Sequence, residues 1–156
     1  MSRELLERFY EGFKRRDAEA MAACYSDDVA FSDPVYVDLR GERARDMWRM
    51  LARRAKDLDL TYEIKSASDT HGEVHWDARY TFSLTGRKVL NRIDATLEIE
   101  NGKIVKHTDV FDFWKWSRQA LGAPGLMLGW SPMLRNKVRG NASKALDEFQ
   151  AAKLAT

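Results

Sequence analysis

The chain has 156 residues, 44% hydrophobic and 32% charged, a length and composition that suit one folded domain and exclude a disordered chain. Lys and Arg number 26 against 24 Asp and Glu, and that balance argues against nucleic acid or an anionic membrane as the main partner. A single cysteine, Cys24, excludes an intramolecular disulfide and a thiolate metal cage.

Residues 1–8 are charged and lack an apolar h-region, so no signal peptide is expected. No apolar run approaches the ~20 residues of a membrane span, and a soluble, cytoplasmic domain is the expectation. Over residues 2–16, Leu5, Leu6, Phe9, Tyr10 and Phe13 fall on one helical face, with Ser2 as a possible N-cap. A second short helix starts at Asp17, turns Met21 and Tyr25 inward, and is expected to end at Ser26-Asp27-Asp28. Residues 29–32 read as a brief strand stopped by Asp33-Pro34. Gly41 precedes an amphipathic helix whose stripe includes Ala44, Met47, Trp48 and Leu51. Its opposite face carries Arg45, Arg49, Arg53 and Lys56, with Asp46 and Asp57 among them, and reads as a solvated side.

After Asp59 the period changes from helical to alternating. Leu60, Tyr62 and Ile64 alternate with polar neighbours, as do Val74, Trp76, Ala78, Tyr80, Phe82 and Leu84. Beyond a turn at Gly86, residues 89–100 form a strand with Ile93, Ala95, Leu97 and Ile99 on one face. Asn101-Gly102 is a strong hairpin signal, because both residues tolerate the positive φ of a type I′ turn. Residues 103–113 then complete an antiparallel meander, and helices segregated from strands imply an α+β fold. A short helix from Trp114 is closed by Gly122, residues 125–129 read as a loop, and Ser131-Pro132 opens a terminal helix reaching about Lys153.

No phosphate loop, dinucleotide fingerprint, zinc-protease motif or nucleophile elbow is present, so neither a cofactor nor a metal is expected. The informative stretch is 107–112. On a strand His107, Asp109 and Phe111 share a side with Val105, on the apolar set. An inward histidine and carboxylate are costly to bury unpaired. They are satisfied by each other as a structural pair, by water, or by a ligand, and an apolar setting raises a carboxyl pKa into the range useful for acid–base work. Asp33, held extended by Pro34, is either a turn aspartate or a second functional acid. Trp48, Trp76, Tyr80 and Phe82 either line a pocket or belong to the core. Cys24 reads as a small buried hydrophobe.

The order of elements, with Tyr25-Ser26-Asp27-Asp28, Asp33-Pro34 and the segment from Gly102 to Phe113, resembles the nuclear-transport-factor-2-like superfamily, in its SnoaL-like and ketosteroid-isomerase-like branch. The resemblance covers residues 3–121. It implies a cone-shaped curved antiparallel sheet packed on the N-terminal helices, with a helical C-terminal extension and a deep, largely apolar pocket. Residues 1–121 would form the cone, and 122–156 a loop and helix packed on it. Asp33 matches the ketosteroid isomerase base in its Asp-Asp…Asp-Pro spacing. That family's oxyanion tyrosine falls on Phe9, which has no hydroxyl; Tyr10, next to it, lies about 100° around the helix. Its protonated aspartate falls on Asp94, which the alternation turns outward. Gly102-Lys103-Ile104 and Asp109-Val110-Phe111-Asp112 are similar to limonene-epoxide hydrolases, whose pocket acid falls on Asp109, asparagine on Asp33 and tryptophan on His107. Their Arg-x-Asp pair falls near Ala78 and Tyr80, where no charge stands. SnoaL-type polyketide cyclases place acid–base groups at the same end of the cone.

The resemblance therefore implies a cofactor-independent acid–base enzyme of the isomerase, cyclase or hydrolase type, acting on a small apolar carbonyl or epoxide. Asp33, His107 and Asp109 would carry the chemistry, and Phe9, Tyr10, Phe31, Trp48, Trp76, Tyr80, Phe82 and Phe111 would shape the pocket. The alternative is a non-catalytic ligand-binding or association module of the same fold, with the Trp-rich tail as its functional surface. A homodimer through the outer sheet face is expected, as in relatives.

Overall fold

In a computed structural model describing residues 2–155, α1 (Ser2–Lys14) buries Leu5, Leu6, Phe9, Tyr10 and Phe13 along one face, as their 3.6-residue spacing requires. Asp17 caps α2 (Ala18–Cys24) by accepting from the Ala20 amide at 3.0 Å. Tyr25 is already extended and opens β1 (Tyr25–Ser32). The second helix thus ends before Ser26, and the first strand begins four residues earlier than its apolar run suggests.

After the two-residue β2 (Leu39–Arg40) come α3 (Glu42–Arg54), β3 (Asp59–Ala67), β4 (His71–Phe82), β5 (Arg87–Glu100) and β6 (Lys103–Val110). The chain then forms α4 (Phe113–Leu121), α5 (Ala123–Leu128) and α6 (Pro132–Ala155). Residues 125–129, expected as a loop, instead lie mostly in α5.

The strands form one curved sheet in the order β2-β1-β6-β5-β4-β3. The meander β3–β6 is antiparallel throughout, with Asn101 and Gly102 both at positive φ in the β5–β6 turn. β1 departs from that pattern and pairs in parallel with β6. A register shift where Ile99 meets Ile104 changes the parity of β6. Ile104 is buried there and Val105 is not, so Val105 does not share the inward face with His107 as simple alternation predicts.

The concave face packs on α1 and α3 in one core that joins Phe9, Phe31, Trp48, Trp76 and Leu97. The basic face of α3 is not simply solvated. Arg49 pairs with Glu19 at 2.8 Å and with Asp46 at 2.8 Å, and Arg45 donates to the Ser26 carbonyl. Asp46 is 1% exposed and receives Gln150 Nε2 at 2.9 Å and Lys153 Nζ at 2.8 Å, which tie α6 across α3. Leu146 from α6 is fully buried in the main core. Among the described residues no helix is long and apolar enough to cross a membrane.

Candidate active site

Between the concave sheet face, α3 and the C-terminal helices lies a cavity of about 540 Å³. Both candidate carboxylates, Asp33 and Asp109, stand on its wall. So do Trp48, Trp76, Tyr80, Phe82 and Phe111. Phe9, Tyr10 and Phe31, expected in the lining, lie behind it: each is fully buried in the core, where the ring faces other rings.

Asp33 sits just past β1, where the chain leaves the sheet in a tight turn. Its Oδ1 accepts from the Val35 amide at 2.7 Å and the Tyr36 amide at 2.6 Å, while its own amide donates to the Tyr36 carbonyl at 2.7 Å. These bonds make Asp33 a turn aspartate. The same turn also holds its carboxyl against the cavity, so the structural and functional readings of this residue coincide. Burial pushes the Asp33 carboxyl up to about 7, and the negative charge of Asp109 pushes in the same direction. The two backbone N–H groups and Arg139 oppose the rise without cancelling it.

Asp109 is 3% exposed and is held from behind by a chain of buried hydrogen bonds. His107 Nε2 lies 2.9 Å from Asp109 Oδ1, His107 Nδ1 lies 2.8 Å from Tyr25 Oη, and Trp48 Nε1 donates to that same oxygen at 2.8 Å. An indole nitrogen only donates, so Tyr25 accepts from Trp48 and spends its own proton on His107 Nδ1. The proton of a neutral His107 then stands on Nε2 and points at Asp109. This tautomer is assigned from the network, and it gives every donor in the chain an acceptor. Trp48 stacks on the His107 ring at 6.1 Å, with Phe9 and Phe31 edge-on at 5.4 and 5.0 Å. His107 itself does not line the cavity; it orients the acid that does.

Among the remaining polar groups on the wall, Tyr80 was expected there from the sequence, whereas Tyr36 and Asn91 were passed over. Tyr36 and Tyr80 are each pushed up to about 12, first by burial, with the Asp33 charge contributing, and both remain protonated donors at neutral pH. Tyr80 is fixed by Trp116, whose indole donates to its hydroxyl at 2.8 Å. Asn91 is 8% exposed and faces the cavity from β5; it occupies the inward parity of Val89 and Ile93, a signal that was available. Tyr25 carried no comparable signal, because its role depends on a strand that starts before its apolar run. The tail contributes Trp116, Leu121 and Val138, which close one side of the cavity. Among the described residues, no group of three or more His, Cys, Asp and Glu side chains is placed to hold a metal ion.

Comparison with known proteins places this geometry in context. A SnoaL-like domain model matches residues 6–107. No curated protein sequence matches the chain. Among solved structures, a candidate polyketide cyclase from Silicibacter sp. superposes with a TM-score of 0.68 at 18% identity, over 76% of this chain and 94% of that one. A limonene-epoxide-hydrolase-like epoxide hydrolase of M. tuberculosis does so with a TM-score of 0.59 at 18% identity, over 80% and 90%. A Catenulispora acidiphila protein with the ketosteroid isomerase-like fold, solved with trimethylamine, gives a TM-score of 0.66 at 13% identity, over 85% and 100%.

Proposed function

The chain belongs to the SnoaL-like domain family, and on that premise we propose that it is a cofactor-independent acid–base enzyme acting on a small, mostly apolar carbonyl or epoxide compound. The observation that carries this reading is the placement of two carboxylates, Asp33 and Asp109, on the wall of one apolar cavity of about 540 Å³. With a carboxyl pKa of about 7, Asp33 both takes and returns a proton at neutral pH, the condition for an efficient general base. It removes a proton from a carbon next to a carbonyl, or from a water molecule that attacks an epoxide carbon. Negative charge then develops on the substrate oxygen. Tyr80 and Asn91, on the same wall, donate hydrogen bonds to that oxygen, while the Asp109 carboxylate, held through Oδ1 by His107, raises the Asp33 pKa and so tunes the base. The names of the structural neighbours, which include a candidate cyclase and an epoxide hydrolase, are compatible with either substrate.

The test begins with native mass spectrometry of the purified protein to identify the small molecule it retains, followed by turnover assays on that compound. Asp33→Asn and Asp109→Asn are each expected to lower kcat at least about a hundredfold. Unchanged turnover in both would remove the proposal and leave the second reading, a ligand-binding module. That alternative draws on the missing hydroxyl at Phe9 and the missing charge at Ala78. A homodimer through the outer sheet face belongs to either reading, and scattering mass in solution tests it.

A further inference from the structure

The near-balance of charge over the whole chain conceals a segregated segment. Residues 113–146 hold six Lys and Arg and no Asp or Glu. Removing those six from the 26 leaves 20 basic against 24 acidic residues in the rest of the chain. The same segment is where apolar side chains reach solvent. Of the ten exposed large hydrophobic residues among those described, six fall between residues 114 and 133: Trp114, Leu126, Met127, Leu128, Trp130 and Met133.

These side chains are held out by a built arrangement. Gly125 and Gly129 let α5 lie directly on α4; a Cβ on Gly125 would stand 2.0 Å from the Ser117 carbonyl oxygen, and one on Gly129 would stand 2.2 Å from Ser117 Oγ. Trp114 donates its indole N–H to the Leu126 carbonyl at 3.1 Å, and Trp130 donates to the Met127 carbonyl at 2.8 Å. Both indoles satisfy their polar edge within the protein and present apolar ring surface, 73% exposed at Trp130. Arg118 lies over the Trp114 ring at 4.6 Å, while Lys115, Arg135 and Lys137 are exposed nearby in sequence.

We propose that this surface, formed by α4, α5 and the start of α6, docks the protein reversibly on an anionic lipid bilayer. Tryptophan, methionine and leucine enter the headgroup boundary while the cations meet lipid phosphates. Charge decides between this occupant and a second copy of the chain. A twofold self-contact would bring like-charged surfaces face to face, because Lys115, Arg118, Arg135 and Lys137 outnumber the one exposed acid at the start of α4, Asp112, whereas an anionic bilayer complements them. The balance over the whole chain does not oppose this docking, because attraction to the surface acts only within about a Debye length.

The experiment is vesicle flotation at low salt, with tryptophan emission recorded in parallel. The protein is expected to float with equal parts phosphatidylcholine and phosphatidylglycerol, with a blue shift in emission, and to stay behind with phosphatidylcholine alone. Arg135→Gln with Lys137→Gln, two exposed changes that keep the fold, is expected to weaken binding at least about tenfold. Trp130→Ser with Met133→Ser is expected to abolish it, while Val110→Ser, at an exposed apolar position on β6, leaves it unchanged. Failure of the wild-type protein to float at any anionic content overturns the proposal, as does unaltered flotation of both double variants. A dimer that the Trp130/Met133 variant dissociates, without vesicle binding, assigns the surface to a second copy and also overturns it. Binding to polyglutamate but not to vesicles does the same in favour of an acidic protein.

Discussion

His107 and Asp109 lie two residues apart on β6 with Nε2 and Oδ1 separated by 2.9 Å, and neither is more than 3% exposed. A buried pair of this kind is only as well oriented as the groups behind it. Here those groups are Tyr25 and Trp48, which meet at the Tyr25 hydroxyl. Tyr25→Phe removes that hydroxyl and leaves both the Trp48 N–H and His107 Nδ1 without a partner. Urea unfolding is expected to show a loss of about 1–3 kcal/mol, the cost of orphaning buried polar groups, with an unchanged m-value. Nitrogen chemical shifts of the His107 ring supply the second readout, and should show its preference for the Nε2-protonated tautomer weakened. A variant as stable as the parent, with the tautomer retained, would mean that the chain does not orient His107.

The charge of Asp109 is felt across the cavity by Asp33, where it ranks after burial among the causes that raise the carboxyl pKa. Asp109→Asn keeps the shape of the side chain and removes the charge. The pKa of Asp33, followed by carboxyl carbon shifts during an NMR titration, should therefore fall below about 7 while staying above its ordinary 3.8, because burial remains. An unchanged Asp33 titration would show that the two acids are not electrostatically coupled and would weaken the case for a shared site.

A raised carboxyl pKa also predicts how stability varies with pH. Folding raises the Asp33 pKa from 3.8 to about 7, so the folded state binds this proton more tightly than the unfolded chain. Its stabilising contribution is fully present below about pH 4 and is lost as pH rises through about 7. At about 1.4 kcal/mol per pKa unit the loss has a ceiling of about 4 kcal/mol. Asp33→Asn is expected to remove this dependence and to leave the protein more stable than the parent at pH 8, even as it loses turnover. Thermal unfolding of both proteins between pH 4 and 8 measures the difference; parallel curves would contradict it.

The parts of the fold that rest on local pattern were legible in the chain itself. The apolar stripe of α1, the alternation of β4 and β5, and Asn101-Gly102 each express one periodicity or one turn geometry. What escaped was decided by partners distant in sequence. Tyr25 becomes a strand residue because β6 lies alongside it in parallel, a pairing that no local signal encodes. Val105 changes face because β5 and β6 slip register opposite Ile99, and simple alternation cannot anticipate a bulge. In the candidate site, Asp33 and Asp109 were visible as polar residues in apolar surroundings. Phe9 and Tyr10 on the apolar face of α1 and Phe31 on β1 point inward as the lining residues do, and an inward position alone does not separate a cavity wall from the core behind it.

Asp46 links the terminal helix to the cavity, and this too can be tested. Burial alone would raise its carboxyl pKa, but hydrogen bonds from Lys153, Gln150 and Arg49 outweigh that and hold it below the usual carboxylate range. A lowered carboxyl pKa stabilises above its ordinary value of 3.8, and the contribution is lost as pH falls through the folded value. The C-terminal half of α6 should therefore loosen on acidification below about pH 4. At neutral pH, Asp46→Ala should reproduce the effect, at a cost of about 1–3 kcal/mol, moderated because Lys153 and Arg49 remain within reach of water. Hydrogen exchange is the direct measurement, with protection expected to fall around residues 147–155 while α1 and β5 keep theirs. Since Val138, Ala142 and Ala145 of the same helix line the cavity, the variant should also release an apolar probe such as 1-anilinonaphthalene-8-sulfonate faster than the parent. Protection of α6 equal to the parent's would show that its other anchors, Leu146 and Phe149 in the core and Arg43 on Asp147 and Gln150, hold the helix down without Asp46.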